Sequence, residues 1–218
     1  MSNAKGQESV RYRQREDSEL TQLEDERMAA DLADPDGRLL RLFNHYRHDW
    51  MNDIQILMAY VQLKKYDKLP PLMEKIKEKV RQEGYVSKLG IPSLIVYLLS
   101  FQSEVKELEL EISMNEEIRL PELREPVAAA AALVRSLEGF KEEARDFTDG
   151  QGLLDLQFNR REGDSFLTVT LQYEGPYRIE RLKHRESALN NELSHGGTIV
   201  VGTYGEGKAV WTSEWRYA

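Results

Sequence analysis

From Arg38 to about Lys65 the chain runs without a glycine or a proline. Within that stretch Phe43, Tyr46, Trp50, Ile54, Leu57 and Val61 recur at spacings of three or four. That period places them on one stripe of an α-helix. The segment Tyr66 to Pro71 (YDKLPP) follows, too short to be anything but a tight connection, with a proline pair suited to a helix start. A second helix is predicted from there to about Lys88, with Leu72, Ile76, Val80 and Val86 inward and Lys75, Lys77, Lys79 and Arg81 in water. Two helices joined this briefly lie antiparallel.

A lone hairpin cannot bury two apolar stripes. Two hairpins packed as a four-helix bundle can, which predicts a homodimer. The competing arrangement packs the hairpin on the chain's own second half. The near-continuous stripe ending in aromatics favours the dimer.

Before the hairpin, residues 1–34 mix charges of both signs with few apolar residues, as in a frayed helix or a disordered arm. Asp34-Pro35-Asp36-Gly37 is a turn and a boundary. After the hairpin the pattern changes at Gly90-Ile91-Pro92. Helices are predicted at Pro92 to Lys106, Pro126 to Arg145 and Ile179 to Leu193. Strands are predicted at Leu108 to Met114, Leu153 to Phe158 and Phe166 to Tyr173, with a last hairpin from Thr198 to Thr203 and Ala209 to Trp215. The reading is α+β, in three parts: an arm (1–34), a helical hairpin for dimerisation (35–89), and a sheet covered by helices on one face (90–218).

Composition narrows the function. There is no cysteine, so disulfides, thiolate catalysis and cysteine metal sites are excluded. The longest apolar run, Ile91 to Phe101, is too short to span a bilayer, and the polar N-terminus lacks a secretion signal, so a cytoplasmic location and no membrane partner are expected. A net charge of -8 argues against nucleic acid. That charge is uneven: residues 38–88 hold 11 Lys/Arg and 6 Asp/Glu, a net of +5. Such a segment fits an anionic partner or a plainly solvated helix face.

The chemistry concentrates at Arg47-His48-Asp49-Trp50-Met51-Asn52. At about 100° per residue His48 falls roughly 160° from the apolar stripe, with His45 and Asn52 beside it and Asp49 flanking. His48 therefore faces solvent at mid-helix on a rigid element. Neutral imidazole is a good nucleophile, and its ordinary pKa of about 6.5 leaves one nitrogen unprotonated near neutrality. Attack on a phosphoryl group gives a labile phosphoramidate that passes the group onward. Asp49 is placed to orient the ring or take its proton, Asn52 to bond near the phosphate, and Arg47 with the second-helix lysines to offset the added charge. The bland alternative is an ordinary exposed histidine. A metal site from His45, His48 and Asp49 lacks a completing carboxylate cluster, so no metal is expected. No nucleophile elbow, P-loop or zinc-protease motif is present.

His48-Asp49-Trp50-Met51-Asn52-Asp53-Ile54-Gln55-Ile56-Leu57 resembles the phosphoacceptor box of sensor histidine kinases, His-Asp/Glu-x-x-Asn-x-Leu. With Arg before the histidine, Trp after the acid and Gln62-Leu63-Lys64-Lys65-Tyr66-Asp67 downstream, it is similar to the sporulation initiation phosphotransferase B family. The resemblance implies a dimeric four-helix bundle whose histidine takes a phosphoryl group from one response regulator's aspartate and donates it to another. It implies that receiver domains are the partners and that any Mg²⁺ belongs to them, leaving this chain without a cofactor of its own. The second half resembles the ATP-binding domain of histidine kinases in its order and in Gly196-Gly197 and Gly205-Glu206-Gly207, although turn glycines explain these equally. The helix around Leu133 to Lys141 has no Asn for Mg²⁺, and Gln172-Tyr173-Glu174-Gly175-Pro176 stands where Asp-x-Gly-x-Gly would hold adenine. The resemblance thus implies a degenerate kinase ATPase-like α/β sandwich without nucleotide binding. Two other functions compete: a working ATP-using sensor kinase core, and a non-catalytic dimeric module that binds a regulator without turnover.

Overall fold

The computed structural model describes residues 35–147, 152–160, 163, 165–193 and 198–218. The N-terminal arm and Gly196-Gly197 lie outside the described residues. Cα packing divides the chain into Met1–Arg47 and His48–Ala218. Helix α1, Pro35–Gln62, begins in the first unit and ends in the second. In the first unit Leu39, Leu40 and Phe43 are exposed and Leu42 is buried.

The second unit opens with the rest of α1. This helix was expected from Arg38 to Lys65 but runs from Pro35 to Gln62. Proline is tolerated in a first turn, so Pro35 starts the helix rather than preceding it. The early end has a local cause. Lys64 adopts a left-handed φ of 54°, and the Lys65 N–H donates to the Tyr60 carbonyl at 2.9 Å. That is a Schellman closure, which satisfies a terminal carbonyl and stops the helix. A 3₁₀ turn, Tyr66–Lys68, leads into α2, Leu69–Val86, whose first turn holds Pro70 and Pro71. Gly90 at φ +83° then turns the chain into Ile91, extended before a proline, and α3, Pro92–Glu104. A Cβ on Gly90 would lie 2.7 Å from the Pro121 ring, so only glycine fits there.

The remaining elements are β1 Leu108–Met114, a 3₁₀ turn Leu120–Glu122, α4 Pro126–Arg145, β2 Gly152–Asn159, β3 Phe166–Glu174, α5 Ile179–Leu193, β4 Val200–Gly205 and β5 Lys208–Arg216. The 3₁₀ turn was not anticipated. The last hairpin is tighter than expected: Gly205 pairs with Lys208, and Glu206 with Gly207 (φ +66°) make a two-residue turn. Strand order is β1-β2-β3-β5-β4. β1 and β2 are parallel and the other pairs antiparallel. A parallel pair needs a crossover, and α4 supplies it. The expected helical segment followed by a mixed α/β sheet is therefore the observed order.

Alternation along the strands explains the two layers. Leu154, Leu156, Phe158, Leu167, Tyr173 and Trp211 are buried on one face. They pack in one core with Leu98, Phe101, Leu133, Leu137, Phe140, Leu182 and Leu189 of α3, α4 and α5. Gln157, Thr168, Thr170 and Thr212 alternate with them and stay half-exposed on the other face. Alanine at 128–132 keeps α4 slim where it lies over the sheet. Between α4 and α5, Glu143 is fully buried. Its carboxylate meets Arg181 Nε at 3.1 Å and accepts the Arg178 backbone N–H at 2.9 Å.

Candidate functional site

Within the second unit the hairpin is antiparallel, as its short connection requires. Lys79 Nζ on α2 lies 2.7 Å from Asp49 Oδ2 on α1. His48, immediately before, is exposed, and so is Asn52 one turn later. Successive helical positions are about 100° apart, so His48 and Asp49 take different faces. Asp49, Asp53, Ile56 and Tyr60 are half-buried on the side that carries Asp49 toward α2. Arg47 is exposed at the end of the first unit, and His45 is half-buried, its ring 6.4 Å from that of Tyr46.

The apolar stripe of α1 is largely uncovered in the single chain: Trp50 is 52% exposed, Ile54 49% and Val61 49%. Val80 of α2, expected inward, is 55% exposed. The reason is the hairpin's shape. Two helices share one narrow seam, and Leu72 and Ile76 already occupy it, half-buried, one turn apart. Val86 lies in the core of the α/β layer, away from the seam. So the hairpin leaves apolar surface from both helices in water.

The lysine-rich helix is less basic than its count suggests. Lys77 pairs with Glu74 at 3.2 Å and Arg81 with Glu78 at 2.6 Å, both within α2. Lys79 instead pairs across the hairpin, with Asp49. Burial pulls Lys79 down, but its hydrogen bond to Asp49, with the charges of Asp49, Glu83 and Asp53, leaves it above the ordinary lysine value. Glu83 is held above the ordinary carboxylate value, first by burial and then by Asp49 and Asp53, against the pull of Lys79. Four charged groups from two helices therefore sit together beside the His48 turn.

The sequence placed His48 and Asn52 on an open face, and they lie on one. It counted Lys79 only among the second-helix lysines, without its pairing to Asp49, and did not bring out Glu83 or Gln82. Lys79 was legible in principle: a hairpin folded about Lys64 sets position 49 opposite position 79. Glu83 and Gln82 carried no such signal, since each depends on packing. Gln82 accepts the Met114 N–H at 2.8 Å and donates to the Met114 carbonyl at 3.3 Å, which fastens α2 to the outer edge of β1. Among the described residues, no group of three His, Cys, Asp or Glu is placed to hold a metal. Among them too, no helix is long and apolar enough to cross a membrane.

Residues 37–89 match the family model described as sensor kinase SpoOB-type, alpha-helical domain. Sporulation initiation phosphotransferase B of Bacillus subtilis (strain 168) is 29% identical over 142 residues, which are 65% of this chain and 66% of that protein, just under two thirds of its length. Similar solved structures include the catalytic domain of histidine kinase ThkA, at 13% identity and a TM-score of 0.42, over 62% of this chain and 90% of that one. ThkA in complex with the response regulator protein TrrA aligns at 14% identity and a TM-score of 0.44, over 81% and 61%. A bacterial phosphotransferase solved at 1.7 Angstrom aligns at 14% and 0.39, over 81% and 95%. Over residues 37–89, the segment that carries the exposed His48 is thus similar to the sensor kinase SpoOB-type alpha-helical domain.

Proposed function

We propose that this chain is a phosphorelay phosphotransferase. His48 accepts a phosphoryl group from the aspartyl phosphate of one response regulator and passes it to the aspartate of a second, in the control of sporulation. One observation carries this reading: a histidine in a phosphoacceptor box is exposed at mid-helix, on the side away from the apolar stripe. The relative's name, sporulation initiation phosphotransferase B, supports the same activity.

In the first step the lone pair of an imidazole nitrogen forms a P–N bond while the partner's P–O bond breaks. The carboxylate leaves with the bonding pair, and the proton on the other ring nitrogen is released. The second step reverses this toward another carboxylate. Little covalent work falls to the protein, so positioning and charge compensation dominate. Arg47 and Asn52, both exposed near His48, are the groups proposed to meet the phosphoryl oxygens. The partner supplies Mg²⁺ from its own acidic pocket. The working form is a homodimer closed through Trp50, Ile54, Val61 and Val80. The α/β layer is a kinase-like domain that has lost nucleotide binding, because its α4 offers no Asn between Leu133 and Lys141.

The test is phosphotransfer from a phosphorylated receiver domain. Wild type is expected to gain acid-labile, base-stable phosphate, and His48→Ala to gain none. Label of equal yield in His48→Ala would remove the proposed site.

A further inference from the structure

Helix α1 has two flanks beside its apolar stripe, and its own hairpin covers one of them. With Trp50, Ile54 and Val61 near zero, Asp49, Asp53, Ile56 and Tyr60 fall roughly 60–120° to one side. They are half-buried, and that side is turned to α2, where Lys79 meets Asp49. Met51 and Met58 fall roughly 80–100° to the other side, and they are 51% and 55% exposed. His48 lies about 60° beyond Met51 but about 100° from Asp49. It therefore leans to the flank that its own hairpin leaves open.

Helix α2 has the matching asymmetry. Leu72, Ile76 and Glu83 are half-buried on the side of α1. Met73 and Val80, roughly 40–60° round from Ile76, are 60% and 55% exposed. Lys77 and Arg81 lie further round, roughly 100–140° from Ile76. In a bundle of two hairpins with its two-fold axis along the helices, the two α1 helices are diagonal. Each α1 then lies between its own α2 and the α2 of the second copy, and Met51 and Met58 meet Met73 and Val80 of the second copy. Their heights interleave. The Lys79–Asp49 pair sets Val80 level with His48 and Met73 level with Gln55, and Met51 falls between. The axis preserves these levels. Arg81 of the second copy thus comes within one residue, about 1.5 Å, of the level of His48, on the flank toward which His48 leans.

We propose that Arg81 of the second copy completes the phosphoryl site of His48, so that each site is built from both chains. This inference rests on the relay reading of His48 and on the homodimer. A guanidinium is planar, and its fork of N–H donors matches phosphoryl oxygens. In the single chain Arg81 is held by Glu78 at 2.6 Å, with its Cζ 6.0 Å from the centre of the Tyr85 ring. Arg81 and Glu78 are 55% and 45% exposed, and an ion pair that wet is weak. A phosphoryl group with close to two negative charges outcompetes the single charge of Glu78. Lys77 faces the same flank but lies about 4.5 Å nearer the connection, where it pairs with Glu74.

The test separates the two chains. Two differently tagged full-length copies are produced together, and the mixed dimer is purified through both tags. Initial rates of labelling from a phosphorylated receiver domain are compared per His48. The Arg81→Ala homodimer is expected to label about tenfold more slowly than wild type, the scale of one lost hydrogen bond to a charged group. The mixed dimer of Arg81→Ala with His48→Ala should return to within about twofold of wild type. All of its label should sit on the Arg81→Ala chain, whose histidine meets the intact Arg81 opposite. That recovery also shows the Arg81→Ala chain to be folded. Lys77→Ala should stay within about twofold of wild type. An Arg81→Ala homodimer as fast as wild type overturns the proposal. So does a mixed dimer as slow as Arg81→Ala alone, which puts the effect of Arg81 within its own chain. Lys77→Ala as slow as Arg81→Ala, or tagged wild-type copies that yield no mixed dimer, overturn it too. A wild-type chain that takes no label sinks the relay reading and this inference together. A labelled wild type with any of the overturning results sinks this inference alone.

Discussion

Ile54→Asp should dissociate the proposed dimer while leaving the α/β layer intact. Ile54 is 49% exposed in the single chain, on the same stripe as Trp50 and Val61, and none of the three belongs to the core of the sheet layer. Burying a whole aliphatic side chain is worth about 1.5–3 kcal/mol. Ile54 has half its surface left to bury, so it contributes about 1 kcal/mol per copy, or about 2 kcal/mol in a two-fold interface where it occurs twice. Trp50, Val61 and Val80, similarly half-exposed, bring the sum to about 8 kcal/mol, and Met51, Met58 and Met73, also about half-exposed, raise it to about 14 kcal/mol, which leaves a micromolar dimer after an association cost of about 6 kcal/mol. The aspartate removes its own share and adds more, because two carboxylates on the symmetry seam must be desolvated together at several kcal/mol each. Sedimentation equilibrium at 10–100 μM should show wild type at twice the chain mass and Ile54→Asp at the chain mass. The near-ultraviolet signal of buried Trp211 and Trp215 should persist in the variant. A variant that keeps the dimer mass, or a wild type that is monomeric at 100 μM, would refute the reasoning that these apolar positions close a bundle.

Two further predictions concern the α/β layer. Arg181→Ala strands the fully buried Glu143 carboxylate, so it should cost about 3–5 kcal/mol, read as a loss in urea midpoint, whereas Arg181→Lys should recover part of it. Tyr173, fully buried with its hydroxyl donating to the Pro176 carbonyl at 2.9 Å, is pushed up to about 12, by burial first and then by Glu143. The folded chain thus keeps a proton that the unfolded chain loses above about pH 10. Stability from this group is complete below pH 10 and lost as pH rises toward 12. Tyr173→Phe should flatten that alkaline fall in a pH series of urea melts, and an unchanged slope would count against it.

Much of this architecture was readable because its signals are periodic. Leu108 to Met114, Pro126 to Arg145 and Ile179 to Leu193 were expected with the boundaries they have. In each, a proline, a turn or an alternation marks the edge. The misread ends were set by backbone conformation. Nothing in Gln62-Leu63-Lys64-Lys65 announces that a lysine will take φ 54° and close the helix three residues early. His48 was legible because it breaks the apolar stripe on the far side of the wheel. The charge cluster around Lys79 was not, because charges thirty residues apart meet only once the hairpin register is known. Val80 shows a related limit: the helical period gives a face but not what that face packs against.

The joint between hairpin and sheet shows how α2, beside the proposed phosphoryl site, is held. After Gln82 the apolar residues of α2 turn from the hairpin to the sheet layer: Val86 and Leu89 are buried in that core, and the Leu120 N–H donates to the Leu89 carbonyl at 3.0 Å. Lys88 pairs with Glu117 at 2.7 Å beside it. β1 is an edge strand, and an edge leaves backbone groups without a partner strand. The Gln82 amide takes that role for Met114, one bond in each direction, while also donating to Glu78 at 2.7 Å. Gln82 lies within one turn of both Lys79 and Glu83, so the clamp on the sheet and the charge cluster beside His48 share one stretch of α2. A shift of the sheet layer against this helix would therefore move Lys79 relative to Asp49, and with it the groups that flank the proposed phosphoryl site.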